Sequence, residues 1–387
     1  MIDFCLPLSD GLLSFERCSR CLFYYKNRRF DLISGLTERS SLHDLNACLK
    51  KISPLDRPAT PRVWHFFFEW GYHTNGLDDL IHEDDLLAIE MVFQKTVKAP
   101  LPSTGSLSIK TLSPPSFKDY KKSFERLRDH LLRGDCYQLN LTFPFHASFE
   151  ALGPSPLSCA LKFWGHHPAP YAHATTFSSL NKSFLSQSPE CLFQVEEIDQ
   201  RLVLQTMPIK GSLKFQEGDS FKQKWARLSQ DKKEEGELFM IADLLRNDLA
   251  RIELPRARVI KKKAPLKVSG ILHQYSLLEV PLSRQVTLHT IMHALFPGGS
   301  VTGAPKKRVM EIIRGLEKTK RGLYCGTTFI QHQHIFCGNI NIRTAEIDHA
   351  TKRLTYFAGG GITLLSQVKD EYDEMLLKAQ SFFQPLS

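Results

Sequence analysis

A glycine-rich segment at residues 296–307 is the first candidate for chemistry. It reads Phe-Pro-Gly-Gly-Ser-Val-Thr-Gly-Ala-Pro-Lys-Lys. Gly298, Gly299 and Gly303 permit positive φ angles and a close approach of the backbone to a ligand. The apolar residues that follow recur at helical spacing: Val309, Ile312, Ile313 and Leu316. Because a helix N-terminus presents free N–H groups, the segment predicts an anion site. A tight turn packed beneath a helix is the alternative.

The same segment does not fit a nucleotide phosphate loop. That motif needs Lys and then Ser or Thr directly after its last glycine, whereas Ala304 and Pro305 intervene here. Pro305 also lacks an N–H group that a phosphate would use, although it suits a first helical turn. Ser300 and Thr302 are candidate N-caps of that helix. We therefore set nucleotide phosphate binding aside.

Lys210 is the second candidate. It lies between a predicted strand at residues 201–207 and Gly211. A lysine in such a place is commonly a surface charge. If it instead faces an enclosed site near other cations, its neutral amine is favoured and becomes a nucleophile. The pattern alone leaves both interpretations open.

Acidic residues supply a third candidate near the C-terminus. In a helix predicted from about residue 369, Glu371, Glu374 and Lys378 fall on one face. They form either a solvated surface with a Glu374–Lys378 pair or part of a site for a divalent cation such as Mg²⁺, which binds carboxylate oxygens. Glu237 stands in the first turn predicted for a helix at 237–252, where an acidic residue also suits the helix dipole, so its role stays open.

Composition narrows the class of protein. The chain has 387 residues, of which 42% are hydrophobic and 24% charged, as in an ordinary soluble globular protein. It has no apolar run that could span a bilayer, so we expect no membrane association and a cytoplasmic location. The formal net charge of +9 raises nucleic-acid binding as an alternative. The one dense basic run, Lys261 to Lys263, lacks interleaved aromatic residues, so we expect no nucleic-acid partner.

Two regions are predicted. Residues 1–110 contain strand-like patches without catalytic groups, and residues 111–387 carry the candidate motifs. A stretch rich in Pro, Ser and Thr at 100–115 predicts a linker or a long surface connection. Further elements are predicted from periodicity and turn residues: a helix at 117–133, a strand at 136–142, a hairpin at 184–195, a helix at 237–252, a hairpin at 329–343 and a backbone-exposing loop at 358–362.

Two smaller questions remain open at this point. Gln138 and Asn140 share one face of the strand at 136–142, where they face a polar site or belong to a satisfied hydrogen-bond network. Arg246, Asn247 and Asp248 lie on other faces of their helix than the apolar stripe. We expect them to form a buried polar network that holds neighbouring loops.

Taken together, the motifs resemble those of the chorismate-utilising enzymes, a family that includes anthranilate, aminodeoxychorismate, isochorismate and salicylate synthases. The resemblance covers residues from about 117 to 380. It implies an α+β fold in which two large antiparallel β-sheets pack around a central active site with helices outside. The segments that carry it are Ser188-Pro189-Glu190, Pro208-Ile-Lys-Gly-Ser212, residues 237–249, residues 296–306, Arg321-Gly322, Ile342-Arg-Thr344, Gly359-Gly-Gly-Ile362 and Glu371-Tyr-Asp-Glu374.

The resemblance implies catalytic roles for three residues. Lys210 would add to C2 of chorismate, and Glu190 would be the general acid that protonates the departing C4 hydroxyl. His273 aligns with a family histidine near the substrate ring. Two departures from the family pattern are Phe329 and Ile330, which stand where glycine and a substrate-contacting tyrosine are usual.

It also implies the binding groups. Arg343 would grip the pyruvyl carboxylate, because a guanidinium makes two parallel hydrogen bonds. Glu237, Glu371 and Glu374 would hold Mg²⁺, directly or through water, with the ring carboxylate on the same ion. The other groups expected to hold substrate are Lys378, Thr302, Gly303, Gly359, Gly360 and Gly361.

Within the family, a lysine at position 210 is similar to component I of the aminodeoxychorismate synthases, whereas anthranilate synthases carry alanine. Without the lysine, ammonia can attack C2 directly on the way to anthranilate. With it, the ε-amine takes C2, and ammonia must enter at C4 to give 4-amino-4-deoxychorismate. The resemblance thus implies that second product, for 4-aminobenzoate and folate synthesis. Anthranilate synthase and an isochorismate or salicylate-type synthase are the alternatives.

Partners follow from the same resemblance. Ammonia would come from a separate glutamine amidotransferase subunit, and a separate aminodeoxychorismate lyase would complete 4-aminobenzoate. We expect separate proteins because the matching segments use the available chain of 387 residues.

Overall fold

Long strands and shorter amphipathic helices make up the structure, a computed structural model that describes residues 1–8, 11–100, 106–152, 164, 168–215, 218–252, 257–268 and 271–384. Within those residues, no helix is both long and apolar enough to cross a bilayer. The α-helices are α1 (Leu42–Leu49), α2 (Trp70–Thr74), α3 (Phe117–Leu132), α4 (Phe221–Ser229), α5 (Lys232–Leu249), α6 (Leu288–Leu295), α7 (Lys306–Leu316) and α8 (Val368–Phe383).

The strands are β1 (Ile2–Pro7), β2 (Leu12–Tyr24), β3 (Arg28–Asp31), β4 (Thr37–Arg39), β5 (Arg62–Phe66), β6 (Ala88–Ala99), β7 (Ser106–Ser113), β8 (Gln138–Leu152), β9 (His173–Phe177), β10 (Lys182–Ser186), β11 (Cys191–Ile198), β12 (Arg201–Met207), β13 (Ile209–Lys214), β14 (Arg258–Val268), β15 (Ile271–Pro281), β16 (Gly303–Ala304), β17 (Thr327–His332), β18 (Ile335–Asn339), β19 (Thr344–Asp348) and β20 (Arg353–Ile362).

Every strand pairing within the described residues is antiparallel. One run of neighbouring strands is β14–β15–β12–β11–β18–β17, with β13 also beside β15. A second run is β9–β10–β19–β20–β8–β7, with β16 also beside β8. Strands β5, β6, β2 and β1 connect the two runs. The predicted α+β class with antiparallel sheets is confirmed.

Hydrogen bonds cross the predicted boundary at residue 110. Strand β1 pairs with β9, and β5 pairs with β17, so early strands lie between later ones. Buried aromatic residues from both regions also share a core, as Trp64 and Phe66 do with Phe296 and Phe329. The predicted boundary therefore does not separate two hydrophobic cores, and the division of the sequence into two regions stays a prediction.

Helix α5 and strand β15 build the wall that carries much of the candidate site. The predicted apolar stripe of the helix is buried as expected: Leu238, Ile241, Leu245 and Leu249. It packs on β15, whose alternate residues Leu272, Gln274, Ser276 and Leu278 are all fully buried. The helix begins at Lys232, five residues before the predicted start, because its first turn is charged and lacks the apolar signal. Glu237 therefore lies inside the helix and not in its first turn.

Three predicted elements are wrong. The proposed linker contains strand β7, which pairs with β8. The proposed hairpin at 184–195 does not form, because β10 pairs with β9 and β19 whereas β11 pairs with β12 and β18. The proposed loop at 358–362 belongs to strand β20. Proline or glycine suggested a break in each case, and long-range pairing overrode that local signal.

The glycines of β20 are needed for close strand packing. A Cβ on Gly359 would lie 2.1 Å from the carbonyl oxygen of Leu141 on β8, and one on Gly361 would lie 2.1 Å from Nε2 of Gln138. Because the Leu141 carbonyl belongs to the backbone and cannot move aside, only glycine at position 359 permits this register, whereas at position 361 the clash is with the end of a flexible side chain. The backbone is exposed by the missing side chains and not by a loop conformation.

The polar network predicted at 246–248 forms in part. Asp248 is buried and makes an ion pair with the buried Lys306, at 2.7 Å. Arg246 is exposed and pairs with exposed Asp243 one turn away, and Asn247 is exposed. Only the aspartate thus joins helix α5 to the start of helix α7, which follows the glycine-rich segment.

We predict that Lys306→Met destabilises the protein strongly. The substitution leaves the carboxylate of Asp248 buried without its cation, which costs about 3–5 kcal/mol in comparable sites. Arg246→Met is the control, since it removes an exposed cation from α5, the helix that carries Asp248, and should cost about 0.5 kcal/mol or less. Thermal unfolding of both variants measures the difference. Equal melting temperatures would show that the buried pair does not hold α5 to α7.

Candidate active site

Lys210 faces carboxylates from helix α5. It lies on β13 beside a β-bulge, where Gly211 is the extra residue between the pairs Lys210–Gln274 and Ser212–His273. Gly211 has a φ of 78°, which favours glycine. The Lys210 Nζ is 3.9 Å from Oε2 of Glu237, and both side chains are 18% exposed. The lysine is therefore part of a half-enclosed charged site and not a free surface charge.

Glu190 lies just before strand β11 and is 4% exposed. Its backbone carbonyl accepts a hydrogen bond from the Ile340 amide, which fixes the chain here. Burial raises the pKa of Glu190 to about 7, against the opposing effects of the Ser300 hydroxyl, the Lys210 charge and the Ile209 backbone. A carboxyl group with this pKa holds its proton for part of the time near neutrality, as a general acid requires.

Glu234 is a site residue that the sequence reasoning missed. It lies near Lys210, Glu237 and Glu374, and its pKa is raised by burial, then by Glu237 and Asp231, with Lys210 opposing. An available signal was its position three residues before Glu237 on a helix, which places both carboxylates on one face. It was overlooked because the helix was predicted to begin at Glu237.

The C-terminal helix brings its predicted residues to the same region. Lys378 pairs with Glu374 at 2.8 Å, and its Nζ also donates to the carbonyl oxygen of Gly359 at 3.0 Å. Glu371 is buried and accepts a hydrogen bond from Ser366 at 2.7 Å. The predicted Glu374–Lys378 pair is confirmed, and both side chains are about half exposed, at 53% and 46%, although the lysine also contacts Gly359 of β20.

Glycines open space beside these carboxylates. A Cβ on Gly360 would lie 3.2 Å from Oε2 of Glu371 and 3.8 Å from Nζ of Lys378. Gln138 reaches Gly361 from β8 and is buried, and its Oε1 has no hydrogen-bond partner within the described residues. An unpaired amide oxygen favours the polar-site interpretation of Gln138 over that of a satisfied network.

The segment at 296–307 is arranged differently from its prediction. Thr302 is fully buried and donates to the carbonyl oxygen of Gly298 at 2.9 Å instead of capping the helix. Helix α7 begins at Lys306 after Pro305, without a side-chain cap. Gly303 has a φ of 140°, and a Cβ there would lie 2.1 Å from the Gln138 carbonyl oxygen. Ser300 lies near Glu190 instead of serving as an N-cap, and an anion site at the segment stays a prediction.

Arg343 is a partly buried cation that has no ionic partner among the described residues. It lies in the turn before β19 and has a φ of 51°. Burial lowers the pKa of its guanidinium below the ordinary value, against the effect of Tyr356. Within the part of the chain that the structure describes, the ion pairs at 4.0 Å or less do not include Arg343. A desolvated guanidinium without a carboxylate partner suits the binding of an anion from outside.

His273 lies near that arginine. It is 3% exposed, and its Nδ1 is 2.6 Å from Oγ of Ser212, while its Nε2 has no hydrogen-bond partner in the described residues. Burial, followed by the charge of Arg343, lowers the pKa of His273 to about 4. The imidazole is therefore neutral at pH 7, and Ser212, which sequence reasoning also missed, holds its orientation.

The predicted metal ligands are not a ready-made metal site. In the described ranges, no three His, Cys, Asp or Glu side chains stand close enough to hold an ion. The donor chemistry nevertheless fits Mg²⁺, because carboxylate oxygens are its usual protein ligands. Glu234 interacts electrostatically with both Glu237 and Glu374, so carboxylates from α5 and α8 face one another.

The chain belongs to the chorismate binding enzyme family, which its residues 56–384 match. The match covers most of the 387 residues and contains every predicted catalytic, substrate-binding and metal-binding residue. This finding confirms the family resemblance that the motifs indicated.

Named relatives lie in one branch of the family. The chain is 33% identical over 276 residues to the aminodeoxychorismate synthase component 1 of Salmonella typhimurium, across 69% of this chain and 57% of that protein. It is 33% identical over 288 residues to the chloroplastic aminodeoxychorismate synthase of Arabidopsis thaliana, across 73% of this chain and 30% of that protein. The chain thus spans only part of the length of these curated relatives.

The fold recurs in solved structures of related enzymes. The anthranilate synthase component I of Streptococcus pneumoniae superposes with a TM-score of 0.77 at 21% sequence identity, across 97% of this chain and 92% of that one. At this level of identity the likeness establishes the fold and leaves the activity to the site residues.

We predict that Glu190→Gln increases the stability of the protein at high pH and abolishes its turnover. The folded pKa near 7 lies above the ordinary value of 4.5, so the destabilisation by the ionised form is absent below about pH 4.5 and grows as the pH rises through 7. The variant should match the wild type at pH 5 and exceed it at pH 8 by up to about 3 kcal/mol, while turnover is lost. Thermal unfolding and turnover at both pH values measure this.

Glu69→Gln is the matched control. Glu69 is also a buried carboxyl group whose pKa burial raises to about 7, and it bonds to the Gly322 amide, outside the site. It should show the same dependence of stability on pH and retain turnover. Full turnover of Glu190→Gln would remove Glu190 from the role of general acid.

Proposed function

We propose that this chain is the chorismate-aminating component of an aminodeoxychorismate synthase, which forms 4-amino-4-deoxychorismate from chorismate and ammonia. The observation that carries the proposal is the position of Lys210 in the charged site, with its amine near Glu237 and the raised-pKa Glu190 beside it. The names of the relatives support the same product.

The proposed chemistry uses two displacements. The neutral amine of Lys210 bonds to C2 of chorismate, the ring double bond shifts, and the C4 hydroxyl leaves as water after it takes the proton of Glu190. Ammonia then bonds to C4, the double bond shifts back, and the bond between C2 and the lysine nitrogen breaks. The ammonium group formed at C4 returns one proton to Glu190, and the lysine leaves as the neutral amine, so chorismate and ammonia give the amino product and water.

The cations of the site would hold the two carboxylates of chorismate. Arg343 has a partly buried guanidinium without a described ionic partner, which suits a two-pronged contact to the pyruvyl carboxylate. Neutral His273 would lie against the ring, oriented by Ser212. Lys378, Thr302, Gly303 and the strand glycines Gly359, Gly360 and Gly361 would complete the pocket. The ring carboxylate of chorismate would then face the glutamates proposed to hold Mg²⁺.

Mg²⁺ is part of the proposal. Glu237, Glu371 and Glu374 would hold the ion. Glu234 would be a further ligand, because it lies near Glu237 and Glu374. The bound ion would neutralise these carboxylates and attract the ring carboxylate of the substrate, whose approach like charges otherwise oppose. Glu371 is held by Ser366, and Glu374 by Lys378, so the protein already orients two of the proposed ligands.

Partners complete the proposed function. The printed name of the Salmonella relative, component 1, supports the existence of a further component. We propose that a separate glutamine amidotransferase subunit supplies ammonia and that a separate lyase converts the product to 4-aminobenzoate for folate synthesis. A cytoplasmic location suits this set of soluble substrates and partners.

We predict that Lys210→Ala changes the product. With saturating ammonium salt, chorismate and Mg²⁺, the wild type should yield 4-amino-4-deoxychorismate. The alanine variant should yield little of it, because C2 is then open to ammonia or water, and 2-substituted products should appear. Liquid chromatography with mass spectrometry measures the product distribution, and arrested wild-type turnover should show an adduct on the peptide that contains Lys210.

Lys214→Ala, an exposed lysine on the same strand, is the control and should leave the products unchanged. If wild type and Lys210→Ala give the amino product at similar rates, the amine is not an obligatory nucleophile. Anthranilate or isochorismate from the wild type would instead assign the chain to another branch of the family.

We predict that Glu237→Gln and Glu374→Gln each abolish Mg²⁺-dependent turnover and leave the fold intact, because a neutral amide is a poor substitute for a carboxylate on a hard dication. Turnover at graded Mg²⁺ concentrations and calorimetric Mg²⁺ binding in the presence of chorismate test this. Glu235→Gln is the control on the same helix, since Glu235 pairs with Lys263 instead. Unchanged turnover and metal dependence in both variants would remove them from the metal site.

A further inference from the structure

Gln274 is a fully buried polar residue whose side chain has no partner. It lies on β15 on the face that packs against helix α5 and has 0% exposure. Neither Oε1 nor Nε2 makes a hydrogen bond with any described residue. An unpaired carboxamide in a packed interior lowers stability, and its apolar neighbours Leu272 and Leu278 show that this face accepts hydrophobic side chains.

The carboxamide lies beside the candidate nucleophile. Gln274 is the strand partner of Lys210, so the two side chains leave neighbouring backbone positions on one face of the sheet. Nε2 of Gln274 lies 2.9 Å from the position that a Cβ would take on Gly211, and Glu234 atoms lie 3.2 Å from the same position. The missing side chain of Gly211 therefore leaves room for the carboxamide in the charged part of the site.

Among the described residues, the amine of Lys210 makes no hydrogen bond. Its nearest described anion, Glu237, is 3.9 Å away, beyond hydrogen-bonding distance. An amine that attacks carbon must present its nitrogen in a fixed direction, which one hydrogen bond from its N–H to a carboxamide oxygen can set. Gln274 is placed to supply that kind of contact.

We propose that Gln274 is a positioning residue for Lys210: its Oε1 accepts one N–H of the Lys210 amine and so fixes the direction in which the nitrogen faces the substrate. The proposal rests on the proposed function, since it assigns Lys210 the role of nucleophile. It explains why a carboxamide occupies a position where an apolar side chain would be more stable. A structural carboxamide satisfied by a trapped water is the competing explanation.

The variant Gln274→Met tests the proposal, because methionine keeps the length and shape of the side chain and removes the amide. The control is Gln331→Met, since Gln331 is equally buried but donates from Nε2 to the Ser53 carbonyl oxygen at 3.2 Å, outside the site. Three measurements apply to both: the melting temperature, kcat and KM for chorismate, and the rate at which an amine-reactive ester modifies Lys210 relative to exposed Lys214.

Gln274→Met should keep or raise the melting temperature, keep KM within twofold, and lower both kcat and the relative modification of Lys210 by roughly three- to tenfold, the range expected for one neutral hydrogen bond. Gln331→Met should lower the melting temperature and leave kcat and modification unchanged. Unchanged modification of Lys210 in Gln274→Met overturns the proposal, as does a loss of melting temperature equal to that of Gln331→Met.

Failure of the proposed function is a separate result. It would be seen in the wild type, as a product other than 4-amino-4-deoxychorismate. The modification of Lys210 needs no chorismate, so it tests the contact between Gln274 and Lys210 in either case.

Discussion

Crowding of carboxylates in a half-buried site is the constraint on which the rest of this structure depends. Glu190, Glu234 and Glu237 lie around Lys210, and Glu374 approaches from the C-terminal helix. Carboxylates taken from water are costly unless cations or hydrogen bonds compensate them. The raised pKa values of Glu190 and Glu234 show that compensation is incomplete in the protein alone. This tension suits a site that receives additional cations and gives up a proton during turnover.

The backbone maintains that arrangement by bringing distant strands together. Lys210 and His273 come from β13 and β15 in one run of strands, whereas the glycines beside Glu371 and Lys378 come from β20 in the other. Helix α5 adds its glutamates while its apolar face is buried on β15. The buried Lys306–Asp248 pair joins this helix to α7. Strand order and packing thus fix charged groups that are far apart in sequence.

Sequence predicted the apolar stripes better than the boundaries of the elements and the pairings of the strands, and the roles of the site residues stay predictions. The stripe of α5 was readable because buried residues recur at 3.6-residue spacing, but its charged first turn carried no such signal, which hid Glu234. The glycines of β20 suggested a loop, because no local pattern reveals that Leu141 and Gln138 crowd them from the next strand. The unpaired atoms of Gln274 and His273 likewise depend on tertiary packing.

The fold does not choose the reaction in this family. The anthranilate synthase component I of Streptococcus pneumoniae shares the architecture at 21% identity, so the fold alone does not identify the reaction of this chain. In the proposed function, selection resides in side chains that change which ring carbon ammonia can reach. In the proposed reaction, a lysine on a bulged strand blocks C2 only if its amine is held and aimed by the groups around it. The direction that those groups impose on the amine, more than the number of charges nearby, then separates a nucleophile from a counter-ion.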